Sequence, residues 1–149
     1  MSSFDFRLQR LLGYRNMQEE EAKRELGLRQ MALDREKSRL SSLKKEEEAL
    51  LSKWRDQTKQ DVELSNLKVT QEYSSLLENR LLRQAHECNN SKNRVDDQRR
   101  VARERWQEKR MIEILKDKAR FEHQRQEQVR ERNLIDEIVL NTYNRKGGD

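Results

Sequence analysis

The chain has 149 residues, 32% hydrophobic and 41% charged, with a net charge of +5; that is the length of one domain, but it carries too little apolar side chain to fill a globular interior. Disorder is disfavoured too, because disordered chains are usually rich in proline, glycine and serine, and this one has no proline and four glycines. Between Gly27 and Gly147 the filler is Leu, Glu, Lys, Arg and Gln, all good helix formers, so long helix is the economical reading.

The opening, MSSFDFRLQ, has neither a positive leader nor an apolar h-region. No apolar run approaches the roughly 20 residues of a membrane span, so a cytosolic chain is expected. A first helix is predicted over about residues 4–62. Stepping alternately by four and three from Leu8 gives fourteen positions, of which nine are Leu, Ala or Trp: Leu8, Leu12, Ala22, Leu26, Leu33, Leu40, Leu43, Leu50 and Trp54. An unbroken 3.5-residue repeat of this length is a coiled-coil signature. Arg15, Glu19, Arg29, Glu36 and Glu47 interrupt the seam, which predicts weak and partly solvated pairing. Glu19 before Lys23, Glu20 before Arg24 and Glu25 before Arg29 support the helix from its outer face.

The pattern lapses at DVELSNLKVTQEY, where Ser65, Asn66, Val69 and Thr70 weaken helix propensity, so a turn is predicted at about 63–70. CNNSKN, residues 88–93, is a second candidate turn. A returning helix is expected over about 71–145. Its apolar positions begin with Tyr73, Leu77, Leu81, Cys88, Val95 and Ala102 in one register and resume with Val101, Ile112, Leu115, Ala119, Val129, Leu140 and Tyr143 in another. Either the coil shifts register near 95–112 or the helix uses two faces. Arg145 and Lys146 suit the negative end of the helix dipole, and Gly147 and Gly148 open a tail over 146–149. With the turn centred near 66, residue 5 faces roughly residue 127. The segment NLIDEIVLNTY then projects past the first helix, with Leu134, Ile135, Ile138, Val139 and Leu140 covering more than one side. An unpartnered apolar tip of this kind implies docking into another protein.

The expected fold is therefore all-α: two long helices in an antiparallel coiled-coil hairpin, with no globular core. Its seam residues include Leu26, Leu33, Leu40, Trp54, Ile112, Leu115 and Ala119. No catalytic, metal or cofactor residue is expected. His86 and Cys88 point about 200° apart on a helix and His123 lies far along the chain, which is no ligand set. No phosphate loop or nucleophile elbow is present, and the carboxylates lie on solvated faces, so the chain is read as non-enzymatic. Cys88, the single cysteine, has no internal disulfide partner. The basic stretch RVDDQRRVARERWQEKR mixes four acids with seven bases, which reads as a solvated coiled-coil face suited to acidic protein surfaces rather than to nucleic acid. Trp106 falls where the register breaks, as core filler or as a partner contact.

FDFRLQRLLGYRNMQEEEAKREL at residues 4–26 and RWQEKRMIEILKDKARFEHQRQEQVRERNLIDEIVLNTYNR at 105–145 together resemble the flagellar export protein family FliJ. The likeness rests on an aromatic-x-aromatic start, on Lys109, Glu113, Leu115, Lys116 and Lys118, and on the terminal pair Asp136 and Glu137. The resemblance implies an antiparallel two-helix coiled coil similar to the paired terminal helices of the gamma subunit of rotary ATP synthases. It implies a stalk of about 90 Å inserted in the hexameric export ATPase FliI, promoting its assembly and activity and reaching the export gate FlhA. Substrate chaperones and the ATPase regulator FliH are further implied partners. The implied location is cytoplasmic, peripheral through partners at the inner-membrane face of the flagellar base. By the same analogy Leu8, Leu12, Val129, Leu134, Ile135, Ile138, Val139 and Tyr143 would contact the ATPase ring, and Arg39, Leu43, Leu50, Tyr73 and Leu77 the gate. The YscO-like stalks of virulence type III secretion share this form. A parallel homodimeric coiled coil and a nucleic-acid-binding helix are the rival readings.

Overall fold

The computed structural model describes residues 3–59 and 63–147. Two helices account for nearly all of them: α1, Gln9–Thr58, and α2, Leu64–Gly147. No strand occurs among the described residues, and the two helices pack against each other as the sequence predicts.

The boundaries differ from expectation at the start of each helix. The helix begins at Gln9 rather than near 4: Phe4, Phe6 and Leu8 are half-buried with exposed residues between them, and the chain turns at 7–8, where Gln9 N donates to the Phe6 carbonyl at 3.1 Å. Of the stretch expected to turn, 63–70, residues 64–70 are helical, because α2 begins at Leu64. Ser65 and Asn66 occupy the first turn of α2, where residues that weaken a helix interior are tolerated, and Glu63 accepts the first backbone hydrogen bonds from Asn66 (3.1 Å) and Leu67 (3.4 Å). Thr70 fits into the helix by donating its hydroxyl to the Asn66 carbonyl at 2.9 Å. At the other side α1 closes with Thr58 donating to the Arg55 carbonyl at 2.8 Å, and Arg55 sits at the negative dipole end. The expected end of the first helix at 62 lies outside the described residues, as do residues 148–149 of the tail. The alternative turn at 88–93 is helical throughout, with Ser91 buried and Cys88 and Asn90 half-buried; small polar residues there fill the seam instead of breaking the helix.

Packing divides the chain into two units, Met1–Glu19 with Glu104–Asp149, and Glu20–Arg103. In the second unit α1 and α2 run antiparallel. The amide of Gln98 donates to the Ala22 carbonyl (3.1 Å), Arg29 to the Arg94 carbonyl (3.1 Å) and Gln84 to the Glu36 carbonyl (2.9 Å), and Thr70 meets Gln57 at 3.5 Å. Residue numbers rise on one helix as they fall on the other. The core here is a file of Ala22, Leu33, Leu77 and Val95, with the last two each 1% exposed. In the first unit the same sense holds, with Glu19 against Lys109, Arg15 against Glu108 and Phe4 against His123.

On α1, thirteen of the fourteen positions stepped out from Leu8 are buried or half-buried, Glu47 being exposed. On α2 the covered positions also keep one 3.5-residue step: 77, 81, 84, 88, 91, 95, 98 and 102 in one unit and 105, 109, 112, 116, 119 and 123 in the other. The register shift expected near 95–112 is therefore absent: Ile112 and Ala119, read in the second register, keep step with Val95 and Ala102. The cause is chemical. Gln84, Ser91, Gln98, Arg105, Lys109 and Lys116 occupy seam positions, so a reading by hydrophobicity jumps to Val101 and Leu115, which lie off the seam. Leu115, expected in it, is 49% exposed, while Ile112 is buried and Ala119 half-buried. Trp106 is also off the seam and half exposed.

Candidate docking surfaces

The seam of the first unit is charged. Lys109 Nζ pairs with the carboxylate of Glu19, a side chain 1% exposed, and lies 3.6 Å from Glu113. Arg15 Nη1 contacts Glu108 at 2.8 Å, and Arg105 shares that carboxylate at 3.3 Å. The hydrogen bond to Glu19 holds the Lys109 ammonium above its ordinary range, and the nearby carboxylate charges of Glu19 and Glu113 add to this while burial opposes it. These groups face one another along a helix interface. They pair α1 with α2.

Cover on α2 ends at Glu127. Every described residue from 128 to 147 is exposed, including Val129, Leu134, Ile135, Ile138, Val139, Leu140 and Tyr143. This is the overhang that the antiparallel geometry predicts. Within it the Thr142 hydroxyl donates to the Ile138 carbonyl at 2.8 Å. Leu8 and Leu12, assigned to the same end, are half-buried in the seam and so share their surface with α2.

Near the hairpin end of the second unit the seam is loose. A groove of about 390 Å³ runs between Glu46, Ala49, Leu50, Lys53, Val69, Thr70 and Tyr73. A second, of about 330 Å³, is lined by Leu50, Leu51, Trp54, Thr70, Gln71 and Ser74. Leu50 and Tyr73 thus line one groove. Leu43 is half-buried and Arg39 is exposed, paired with Glu36 at 3.1 Å. Leu77 is a correction: almost wholly buried, it serves the core and offers nothing to a partner, while its exposed neighbour Leu76 points outward. Sequence reasoning missed Leu51 and Leu76, whose signal was there in the doubled leucines, one for the seam and one beside it. It also missed Met111, Ile114 and Phe121 on the outer side of α2, exposed to 66%, 41% and 68%.

No group of His, Cys, Asp and Glu among the described residues has the arrangement of a metal site. No helix among the described residues is long and apolar enough to cross a membrane. Comparisons with curated proteins and with solved structures gave no match. A family model does match: that of the flagellar FliJ protein, over residues 4–148. With nearly the whole length covered, and with a two-helix fold of the form that the sequence predicts, the chain belongs to the flagellar FliJ protein family.

Proposed function

We propose that the chain is a non-enzymatic stalk of the flagellar type III export apparatus, with its overhang docked in the ring of the hexameric export ATPase FliI and its hairpin end directed to the export gate FlhA. The observation that carries this reading is the bare apolar end of α2 beyond Glu127. Large apolar side chains spread over several sides of a helix suit enclosure by a ring better than contact with one flat surface. Val129, Leu134, Ile135, Ile138, Val139 and Tyr143 are the proposed ring contacts, with Leu8 and Leu12 shaping the adjoining seam. Arg39, Leu43, Leu50 and Tyr73 are the proposed gate contacts, and the groove between Leu50 and Tyr73 supports them.

An asymmetric pair of helices meets the subunits of a ring unequally. It biases their nucleotide cycle only through its different affinity for their different states, which is the sole energy source available to a non-enzymatic stalk. The same contacts promote ring assembly, because anything that binds the assembled form stabilises it by mass action. Work at a cytoplasmic ring places the chain at the membrane through its partners alone; the regulator FliH and substrate chaperones belong to the same proposal. Removing residues 129–149 tests it. Stimulation of ATP hydrolysis by purified FliI should be lost while helicity per residue stays nearly constant, and undiminished stimulation would refute the ring assignment.

A further inference from the structure

The segment from Ser3 to Leu8 is a strap. Phe4, Phe6 and Leu8 are half-buried, and the residues between them are exposed. Its backbone bonds are local ones, from Gln9 N to the Phe6 carbonyl (3.1 Å) and from Leu12 N to the Leu8 carbonyl (2.9 Å). What holds it to α2 is side-chain contact. The Phe4 ring lies 5.6 Å from that of His123, tilted by 51°, and the Arg120 guanidinium carbon sits 5.7 Å from the Phe4 centroid. Tilted rings and a cation near an aromatic ring are the arrangements such groups prefer. Arg120 and His123 are three apart, so they present one side of α2. They occupy its last covered turns, next to the bare stretch that begins at residue 128.

We propose that Arg120 and His123 form an aromatic-accepting site on α2, filled by Phe4 while the strap is docked and open to an aromatic side chain of a protein partner when the strap lifts. A segment that lies outside the helices opens locally without unfolding the helices beneath it. Phe4 then acts as a built-in competitor at an effective concentration in the millimolar range, as a short tether gives. A free aromatic group cannot displace it at ordinary concentrations. A partner that also grips the adjoining overhang can, so the strap makes occupancy of this site conditional on that engagement. The site does not depend on which protein the partner is.

The test uses the full chain and its two histidines. In NMR spectra of the imidazole protons, Phe4→Leu should move the His123 resonances as the ring current of Phe4 is lost, with the exposed His86 and the helicity unchanged. A peptide of residues 2–10, added to that variant at about 5 mM, should return the His123 resonances toward their original position. The same peptide carrying Phe4→Leu should not, and the wild-type chain should bind the first peptide at least about tenfold more weakly than the variant does. Indifference of His123 to Phe4→Leu overturns the proposal. So does a shift on substitution with no response to either peptide, which would make Phe4 simple packing.

Discussion

The ion pair of Glu19 and Lys109 gives the sharpest test of how the seam is held. Glu19 is 1% exposed and Lys109 19%, and Lys109 keeps a second carboxylate, Glu113, at 3.6 Å. Breaking a fully buried pair by removing one partner costs about 3–5 kcal/mol, because the remaining charge stays desolvated. With Lys109 partly solvated and Glu113 in reserve, Glu19→Leu should cost roughly 2 kcal/mol. Lys109→Leu should cost at least as much, since it takes the ammonium away from the more deeply buried carboxylate. The double substitution places two leucines face to face at seam positions and should return stability to within about 1 kcal/mol of the original, or above it. The coupling energy is then roughly 3 kcal/mol or more. Urea unfolding followed by far-ultraviolet circular dichroism measures all four proteins, with Glu20→Leu on the exposed face as a control expected to change little. If the two single substitutions add to within about 0.5 kcal/mol, the pair is not coupled and the account of the seam fails.

Leu77→Ala should cost about 3 kcal/mol by opening the core, whereas Leu115→Ala, off the seam and half exposed, should cost well under about 1 kcal/mol in the same assay. Gly27 lies in the interior of α1 with open space where a Cβ would stand and without a positive φ, so Gly27→Ala should stabilise by about 0.5–1 kcal/mol, read as a higher urea midpoint. The Lys109 ammonium is held in the folded chain above its ordinary 10.5. Its contribution is therefore complete below that pH and is lost as pH rises through the folded value, so the urea midpoint should fall in that alkaline window by less in Glu19→Leu than in the original chain. Replacing Ile135, Ile138 and Val139 together by serine should leave unfolding almost unchanged, because nothing covers them, yet should abolish stimulation of the export ATPase.

Helix content, the hairpin and the α1 seam were legible because they depend on composition and period, which packing does not alter. Even Arg15, Glu19, Arg29 and Glu36, which looked like defects in the repeat, lie in the interface where the repeat puts them. The α2 seam was not legible, since its polar members carry no hydrophobic signal and are recognised only by what they meet on α1. Ser65 and Asn66 misled for a related reason. Their low propensity is an interior penalty, and the first turn of a helix is exempt from it. Of the docking surfaces, the overhang followed from arithmetic on the turn, while the strap did not. Its alternation over six residues is too short to separate from the start of a helix until Phe4 is seen against His123.

A seam so poor in apolar side chains raises the question of what fixes its register, since leucines alone tolerate a slip of one heptad. The polar members supply the answer. Gln84 faces Glu36; moved by seven residues along α1 it would face Leu43 or Arg29. Gln98 meets the Ala22 carbonyl, and a slip sets it beside Arg15 or Arg29. Lys109, against Glu19, would find Leu12 or Leu26. A slip in either direction faces the Lys109 ammonium with a leucine and takes the Glu36 carboxylate from Gln84, at about 1–3 kcal/mol for a partly desolvated donor that loses its acceptor, and it puts an arginine side chain where Gln98 meets Ala22. The correct pairing is thus set by what the alternatives would leave unsatisfied rather than by the strength of the core. Register fixed in this way needs few leucines in the seam, and that leaves the chain's large apolar side chains for the outer face of α2 and for its bare end, where other proteins can reach them.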